Sequence, residues 1–144
     1  DVELKNNNQI GLNAHFERYV GEDKEPITKP PYGTITAMDM KTGLIDWKVP
    51  FGYKNKKNIG VLNVGGISVS SGNLIFATGT IDNYAFIFDS VTGKELWKFK
   101  MEAQGTAPPL IYEYKNKQYF SFLSTGGIND NSKKSSTLYT FSIK

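Results

Sequence analysis

The clearest pattern along the chain has a period of two. Ile45, Trp47, Val49 and Phe51 alternate with Asp46 and Lys48, and Trp97, Phe99 and Met101 alternate with Lys98 and Lys100. Such alternation marks strands with one buried face. Each run follows a Gly-containing turn, Lys41-Thr42-Gly43 or Val91-Thr92-Gly93, and each turn follows a run rich in β-branched or aromatic residues. Two hairpins are therefore expected, with Gly43 supplying the positive φ of its turn and Asp39 accepting hydrogen bonds from the turn's N–H groups. Leu74-Ile75-Phe76-Ala77-Thr78-Gly79-Thr80-Ile81 is apolar on both sides, as a strand covered on both faces should be.

The two hairpins are copies of one another. Ala37-Met38-Asp39-Met40-Lys41-Thr42-Gly43-Leu44-Ile45-Asp46-Trp47 is answered by Ile87-Phe88-Asp89-Ser90-Val91-Thr92-Gly93-Lys94-Glu95-Leu96-Trp97. Asp, Thr, Gly and Trp recur at a constant offset of 50 residues. A period of this length belongs to blades, solenoids or arrays. Each copy reads as the outer hairpin of one β-propeller blade, with the tryptophan as a flat packing surface for a neighbouring blade.

The expected fold is all-β: four-stranded antiparallel blades of a β-propeller, incomplete, with about two to three blades present. Residues 1–33 carry Asn6-Asn7-Asn8, a charged Glu22–Glu25 stretch and Pro26, Pro30 and Pro31, and read as an irregular loop or excursion. A short helix or strand over 13–20 is the one element expected there. Residues 34–144 are the partial propeller. Within it, 34–51 forms an outer hairpin, 64–102 a complete blade and 107–144 a three-stranded final blade. Gly52 to Asn63 reads as a polar loop.

Composition narrows the partners. The net charge of +3 is modest, and the lysines gather at turn-like places such as Lys54-Asn55-Lys56-Lys57 and Lys115-Asn116-Lys117. Solvated turn tips explain them, and no nucleic-acid partner is expected. There is no cysteine and one histidine, His15, so neither a disulfide nor a spaced metal cage is in prospect. No apolar run approaches the roughly 18 residues of a membrane span. The N-terminus shows no signal-peptide pattern. P-loop, Gly-x-Ser-x-Gly and His-pair signatures are all missing.

Asp-x-x-Thr-Gly-x-x-x-Trp, doubled at blade spacing, resembles the tryptophan-docking motif of quinoprotein dehydrogenases, the propeller enzymes that use pyrroloquinoline quinone (PQQ). Further segments resemble the last part of the glucose-dehydrogenase-like branch, in the family's order. They are Lys29-Pro30-Pro31-Tyr32-Gly33-Thr34, Asn63-Val64-Gly65-Gly66, Gly79-Thr80-Ile81-Asp82-Asn83-Tyr84, and Lys117-Gln118-Tyr119 ahead of Gly126-Gly127. The resemblance covers roughly residues 26–144. It implies a ring of about eight blades, of which this chain supplies the C-terminal ones. It also implies oxidation of a sugar or alcohol hydroxyl, with hydride passing to PQQ polarised by Ca²⁺, in the periplasm. The family's catalytic aspartate and metal ligands match no segment here, so no catalytic or metal residue is assigned.

What the resemblance places here is part of the cofactor-pocket wall: Asp82, where glucose dehydrogenases hold an acidic residue near the quinone, with Asn63, Gly65 and Gly66 on an inner loop. Read from the residues alone, Asp82 is equally a turn aspartate and Asn63 to Gly66 a turn into an innermost strand. Two departures bear on activity. Ile128 stands where that branch often has histidine, and Ala103-Gln104-Gly105-Thr106-Ala107-Pro108-Pro109 replaces a Gly-Gly-x-Ala-Thr-Pro run. The chain is expected to be inactive alone. Its expected partners are the remaining blades, or further copies of itself joined through open blade faces. The alternative is a non-catalytic binding or scaffolding propeller fragment.

Overall fold

The computed structural model describes residues 2–5, 9–12, 19–22, 26–127 and 132–143. Among them are thirteen strands and no helix. His15, Ile128 and most of the element expected over 13–20 lie outside the described residues. The first 33 residues are less irregular than their composition suggests, because β1 (Val2–Lys5) pairs antiparallel with β2 (Gln9–Leu12).

Three sheets carry the architecture. β3 (Thr34–Met38) and β4 (Ile45–Pro50) form the first hairpin. β7 (Ile67–Val69), β8 (Leu74–Ala77), β9 (Tyr84–Asp89) and β10 (Glu95–Lys100) form an antiparallel meander in the order β10-β9-β8-β7. β11 (Leu110–Tyr114), β12 (Lys117–Gly126) and β13 (Lys134–Ser142) form a three-stranded meander. The expected polar loop between Gly52 and Asn63 contains a small hairpin of its own, β5 (Tyr53–Lys54) with β6 (Lys57–Asn58). Asn55 and Lys56 close it at φ 50° and 64°. Two consecutive left-handed residues match the right-handed twist of tightly paired strands.

The four-stranded sheet is the middle layer, and its strand alternation sorts side chains into two cores. Ile75, Ala77, Phe86 and Phe88 pack with Ile35 and Phe51 of the first hairpin. Phe76, Ala85 and Ile87 point the opposite way and pack with Met101, Phe120 and Phe122. Phe76, Phe86 and Phe88 are each at most 2% exposed. Burying one phenylalanine contributes about 2–3 kcal/mol, against about 1 kcal/mol for a backbone hydrogen bond. Face-to-face burial therefore outweighs any single turn in holding the layers together.

The repeat is reproduced in its hydrogen bonds. Asp39 Oδ1 accepts the amides of Lys41 (2.6 Å) and Thr42 (3.3 Å), and Gly43 N–H donates to the Asp39 carbonyl at 2.7 Å. Asp89 Oδ1 accepts the amides of Val91 (3.0 Å) and Thr92 (2.7 Å), and Gly93 N–H donates to the Asp89 carbonyl at 2.9 Å. The two glycines stand at φ 72° and 71°. Even a bulge recurs, since the register shifts between Ala37 and Met38 and again between Glu95 and Trp97. That bulge corrects one expectation. It breaks the alternation after Ile45, which is 56% exposed, whereas Trp47, Val49 and Phe51 do turn inward.

Beyond the core they share, the first copy's tryptophan meets the second copy's turn. The Trp47 indole lies on Gly93, where an added Cβ would meet ring carbons at 2.7 and 2.8 Å, and Trp47 Nε1–H donates to the Ser90 carbonyl at 3.0 Å. Trp97 instead meets the three-stranded sheet, with Phe120 and Phe141 edge-on at 5.8 and 5.3 Å.

Gly43 and Gly93 form a natural control pair: same motif and φ, but nothing lies within 4 Å of a Cβ on Gly43. Gly43→Ala should cost about 1 kcal/mol from backbone strain. Gly93→Ala should cost about 2–4 kcal/mol, strain plus displacement of the indole. Urea melts of both, repeated in a Trp47→Ala background, check this; equal costs in the wild-type background would refute the docking account. A second expectation concerns acid. The Thr92 hydroxyl, then the Thr92 and Val91 amides, hold Asp89 below its ordinary 3.8. Its contribution is complete above 3.8 and is lost as pH falls through the lowered value. Asp89→Asn should therefore flatten the acid limb of the urea midpoint plotted against pH.

Candidate functional site

Asp82 follows β8, where the chain turns into β9. Thr80 is fully buried and bridges Asn63, Ile81 N–H donates to the Leu62 carbonyl at 3.1 Å, and Val64 N–H to the Gly79 carbonyl at 2.8 Å. The segment 62–64 thus runs antiparallel to 79–81 and brings Asn63, Gly65, Gly66 and Asp82 to one end of the four-stranded sheet. The strand expected to reach Ile81 ends at Ala77 in its regular part, because Gly79 adopts φ 102°.

Each of the four residues has a packing role. The Asp82 carboxylate accepts the Tyr53 amide through Oδ2 and the Tyr84 amide through Oδ1 (3.4 Å), so it fastens the β5–β6 hairpin to its own turn. Asn63 Nδ2 donates to the Val61 carbonyl at 3.3 Å. A Cβ on Gly65 would meet the Thr78 carbonyl oxygen at 2.5 Å and Gly79 Cα at 2.7 Å, so two backbones touch there. A Cβ on Gly66 would meet Pro108 Cγ at 2.4 Å. Gly65 stays exposed, and so does its neighbour Val64. The donor set of one carboxylate, one amide and exposed glycine backbone suits one edge of a pocket for a polar cofactor. It is not an enclosing cage, and the described residues contain no cluster of three or more His, Cys, Asp or Glu.

The structure adds residues that the sequence did not single out. Asp82 lies at one end of a cleft of about 400 Å³ lined by Tyr53, Asn55, Lys56, Tyr84, Lys98 and Lys100. The Tyr53 hydroxyl donates to Glu95 Oε2 at 2.8 Å, and burial is the first cause raising its pKa above the ordinary value. Lys98 Nζ stands 3.7 Å from the Tyr53 ring centroid and 3.3 Å from Glu95. The Tyr53 hydroxyl raises the Lys98 pKa first, and the Glu95 charge adds to it. Lys100 Nζ donates to the Asp82 carbonyl. The signal was present as Lys98 and Lys100 alternating with Trp97 and Phe99, but alternation alone says "outward" and not "toward Tyr53". At the other edge, the buried Gln104 side chain donates to the Gly79 carbonyl, and Thr78 Oγ1 to the Ala107 carbonyl at 3.0 Å. The run that departs from the family pattern therefore ties the middle sheet to the last one.

If Asp82 is the latch between hairpin and turn, Asp82→Ala strands two part-buried amides and should cost about 1–3 kcal/mol. Asp82→Asn keeps one acceptor oxygen and should cost less. Amide hydrogen exchange at Tyr53 gives the readout. Unchanged protection in Asp82→Ala would show that the carboxylate is not the latch.

Comparison with known proteins gives the fold a lineage. Residues 2–120 match the family model of the PQQ glucose/ethanol/alcohol dehydrogenase β-propeller domain. The probable quinate dehydrogenase (quinone) of Xanthomonas campestris pv. juglandis is 33% identical over 130 residues, covering 82% of this chain and 16% of that protein. Quinoprotein glucose dehydrogenase of Escherichia coli K12 is 33% identical over 113 residues, covering 71% of this chain and 14% of that protein. Among solved structures, quinohemoprotein alcohol dehydrogenase ADHIIG of Pseudomonas putida HK5 aligns at TM-score 0.54 and 26% identity, covering 65% of this chain and 12% of that one. The quinohemoprotein alcohol dehydrogenase of Comamonas testosteroni shares the fold at TM-score 0.63 and 24% identity, over 84% of this chain and 18% of that one. The chain thus spans only 14–16% of the length of these two curated relatives. With the docked tryptophan repeat, the all-strand layers and the family model in agreement, this chain belongs to the PQQ-dependent dehydrogenase family, through its match to their β-propeller domain.

Proposed function

We propose that these residues are the closing blades of a PQQ-dependent dehydrogenase that oxidises a hydroxyl of a sugar, alcohol or quinate-like polyol. The observation that carries this reading is the exposed apolar face of the three-stranded sheet. The outer face of the last sheet holds a groove of about 350 Å³ lined by apolar residues, among them Leu110, Leu123 and Leu138, which are 62%, 41% and 60% exposed. Apolar area of this kind calls for a covering layer. Further blades, from the rest of a longer chain or from another copy, fit that need.

In this reading Asp82, Asn63 and the Gly65–Gly66 backbone form one wall of the quinone pocket. PQQ with Ca²⁺ supplies the hydride-accepting chemistry when bound. The chain's own residues position. The Tyr53 and Tyr84 amides hold the Asp82 carboxylate in one orientation, and the Gly65–Gly79 contact keeps side chains out of the backbone surface beside it. The catalytic base and metal ligands belong to other blades, and the location is the periplasm. A non-catalytic binding or scaffolding propeller is the competing reading.

A chimera separates the two. Residues 26–144 replace the corresponding segment of the quinoprotein glucose dehydrogenase of Escherichia coli K12, and dye reduction is followed with PQQ and Ca²⁺. The 144 residues alone should show no turnover. The chimera should oxidise glucose, and Asp82→Ala within it should lower kcat at least about tenfold. A chimera that folds and binds PQQ yet reduces no dye supports the scaffolding reading instead.

A further inference from the structure

The cleft beside Asp82 has chemistry that the quinone wall does not use. Lys98 and Lys100 sit two residues apart on β10, so both project from the sheet face that carries Phe86 and Phe88, opposite Trp97 and Phe99. Their Cα atoms are about 7 Å apart in an extended strand. Aromatic rings hold both ammonium groups. Lys98 Nζ is 3.7 Å from the Tyr53 centroid and 6.0 Å from that of Tyr84, and Lys100 Nζ is 4.8 Å from Tyr84. A ring face attracts an ammonium without giving its N–H groups oxygen acceptors. Across the cleft, the left-handed turn at Asn55 and Lys56 brings a third ammonium to the wall.

The negative charges nearby are largely occupied. Asp82 turns its two oxygens to the Tyr53 and Tyr84 amides, and its carbonyl takes Lys100. Glu95 accepts the Tyr53 hydroxyl and pairs with Lys98. With Glu95 counted beside the lining Asp82, three lysines still outnumber two carboxylates, and the cleft keeps a net positive charge. Nucleic acid would need a longer basic track than three side chains. A compact anion with two or more carboxylates suits two lysines that project from one strand face.

We propose that this cleft is a binding site for small organic polycarboxylates, with Lys98 and Lys100 gripping separate carboxylate groups and Lys56 closing over them. β10 lies at the sheet edge opposite β7, so the two lysines stand apart from Gly65 and Gly66, with Asp82 bordering both places, and the site rests on the lysines whether or not the quinone assignment holds.

The test is titration of the full 144-residue chain with citrate, followed by amide NMR, with acetate and glycerol as controls. Citrate should shift the amides of Tyr53, Asp82, Tyr84, Lys98 and Lys100, bind more tightly than acetate, and weaken as salt is added. Lys98→Gln with Lys100→Gln should lose about tenfold in affinity. Lys56→Gln, at an exposed turn, should lose less, and Lys115→Gln at the far β11–β12 turn should lose nothing. Equal shifts at Lys115 and Lys117, unchanged affinity in Lys56→Gln and in the double variant, or equal binding of glycerol would each overturn the proposal.

Discussion

The contact between Trp47 and Gly93 is the constraint on which the layered stack depends. An indole can lie flat on a neighbouring hairpin only where that hairpin presents bare backbone. The left-handed φ of 71° at Gly93 and the absent Cβ provide such a floor, and the Ser90 carbonyl fixes the ring's rotation. A single residue type thus satisfies two demands, turn geometry and close approach. Because both hairpins carry the same turn, each copy can offer a tryptophan forward and a glycine floor backward. The first floor, Gly43, is open among the described residues. The second tryptophan rests on Phe120 and Phe141 in place of a glycine turn.

That contact is one point where the two hairpins meet, and burial supplies the energy. The middle sheet sends alternate residues of β8 and β9 into two separate cores, so each strand serves both neighbours. This is why Leu74 to Ala77 and Ala85 to Phe88 are nearly continuous apolar runs, while β10, an edge strand, alternates with lysine. The outer faces of the stack follow from the same logic. The outer face of the three-stranded sheet leaves Leu110, Leu123 and Leu138 exposed among the described residues.

At the candidate site, structure and chemistry share residues. Asp82 caps the Tyr53 and Tyr84 amides, Gly65 makes room for Gly79, and Gly66 makes room for Pro108. A role near the quinone therefore has to be compatible with these packing duties. A carboxylate can accept more than two hydrogen bonds, and an exposed glycine backbone can serve packing on one side and ligand on the other. The cationic cleft at the outer edge borders the same Asp82, while its lysines stand on β10 and on the β5–β6 turn.

The sequence by itself determined the strands that alternate or run apolar, the two Asp-Thr-Gly turns and the blade-length repeat. These follow from period, turn chemistry and a 50-residue repeat, all of which are local or countable. It also located the segment that holds Asp82. It could not place the β1–β2 hairpin, the β5–β6 hairpin or the exposure of Ile45, because short pairings and a bulge are decided by register with a partner strand. Only the tertiary structure decided that Tyr53, Asp82, Lys98 and Lys100 share one cleft. Tyr53 and Lys98 are far apart along the chain, and nothing in either one's neighbourhood encodes the other. What joins them is the packing of one layer on the next, in which Trp47 lies on Gly93 and Phe51 on Phe86 and Phe88.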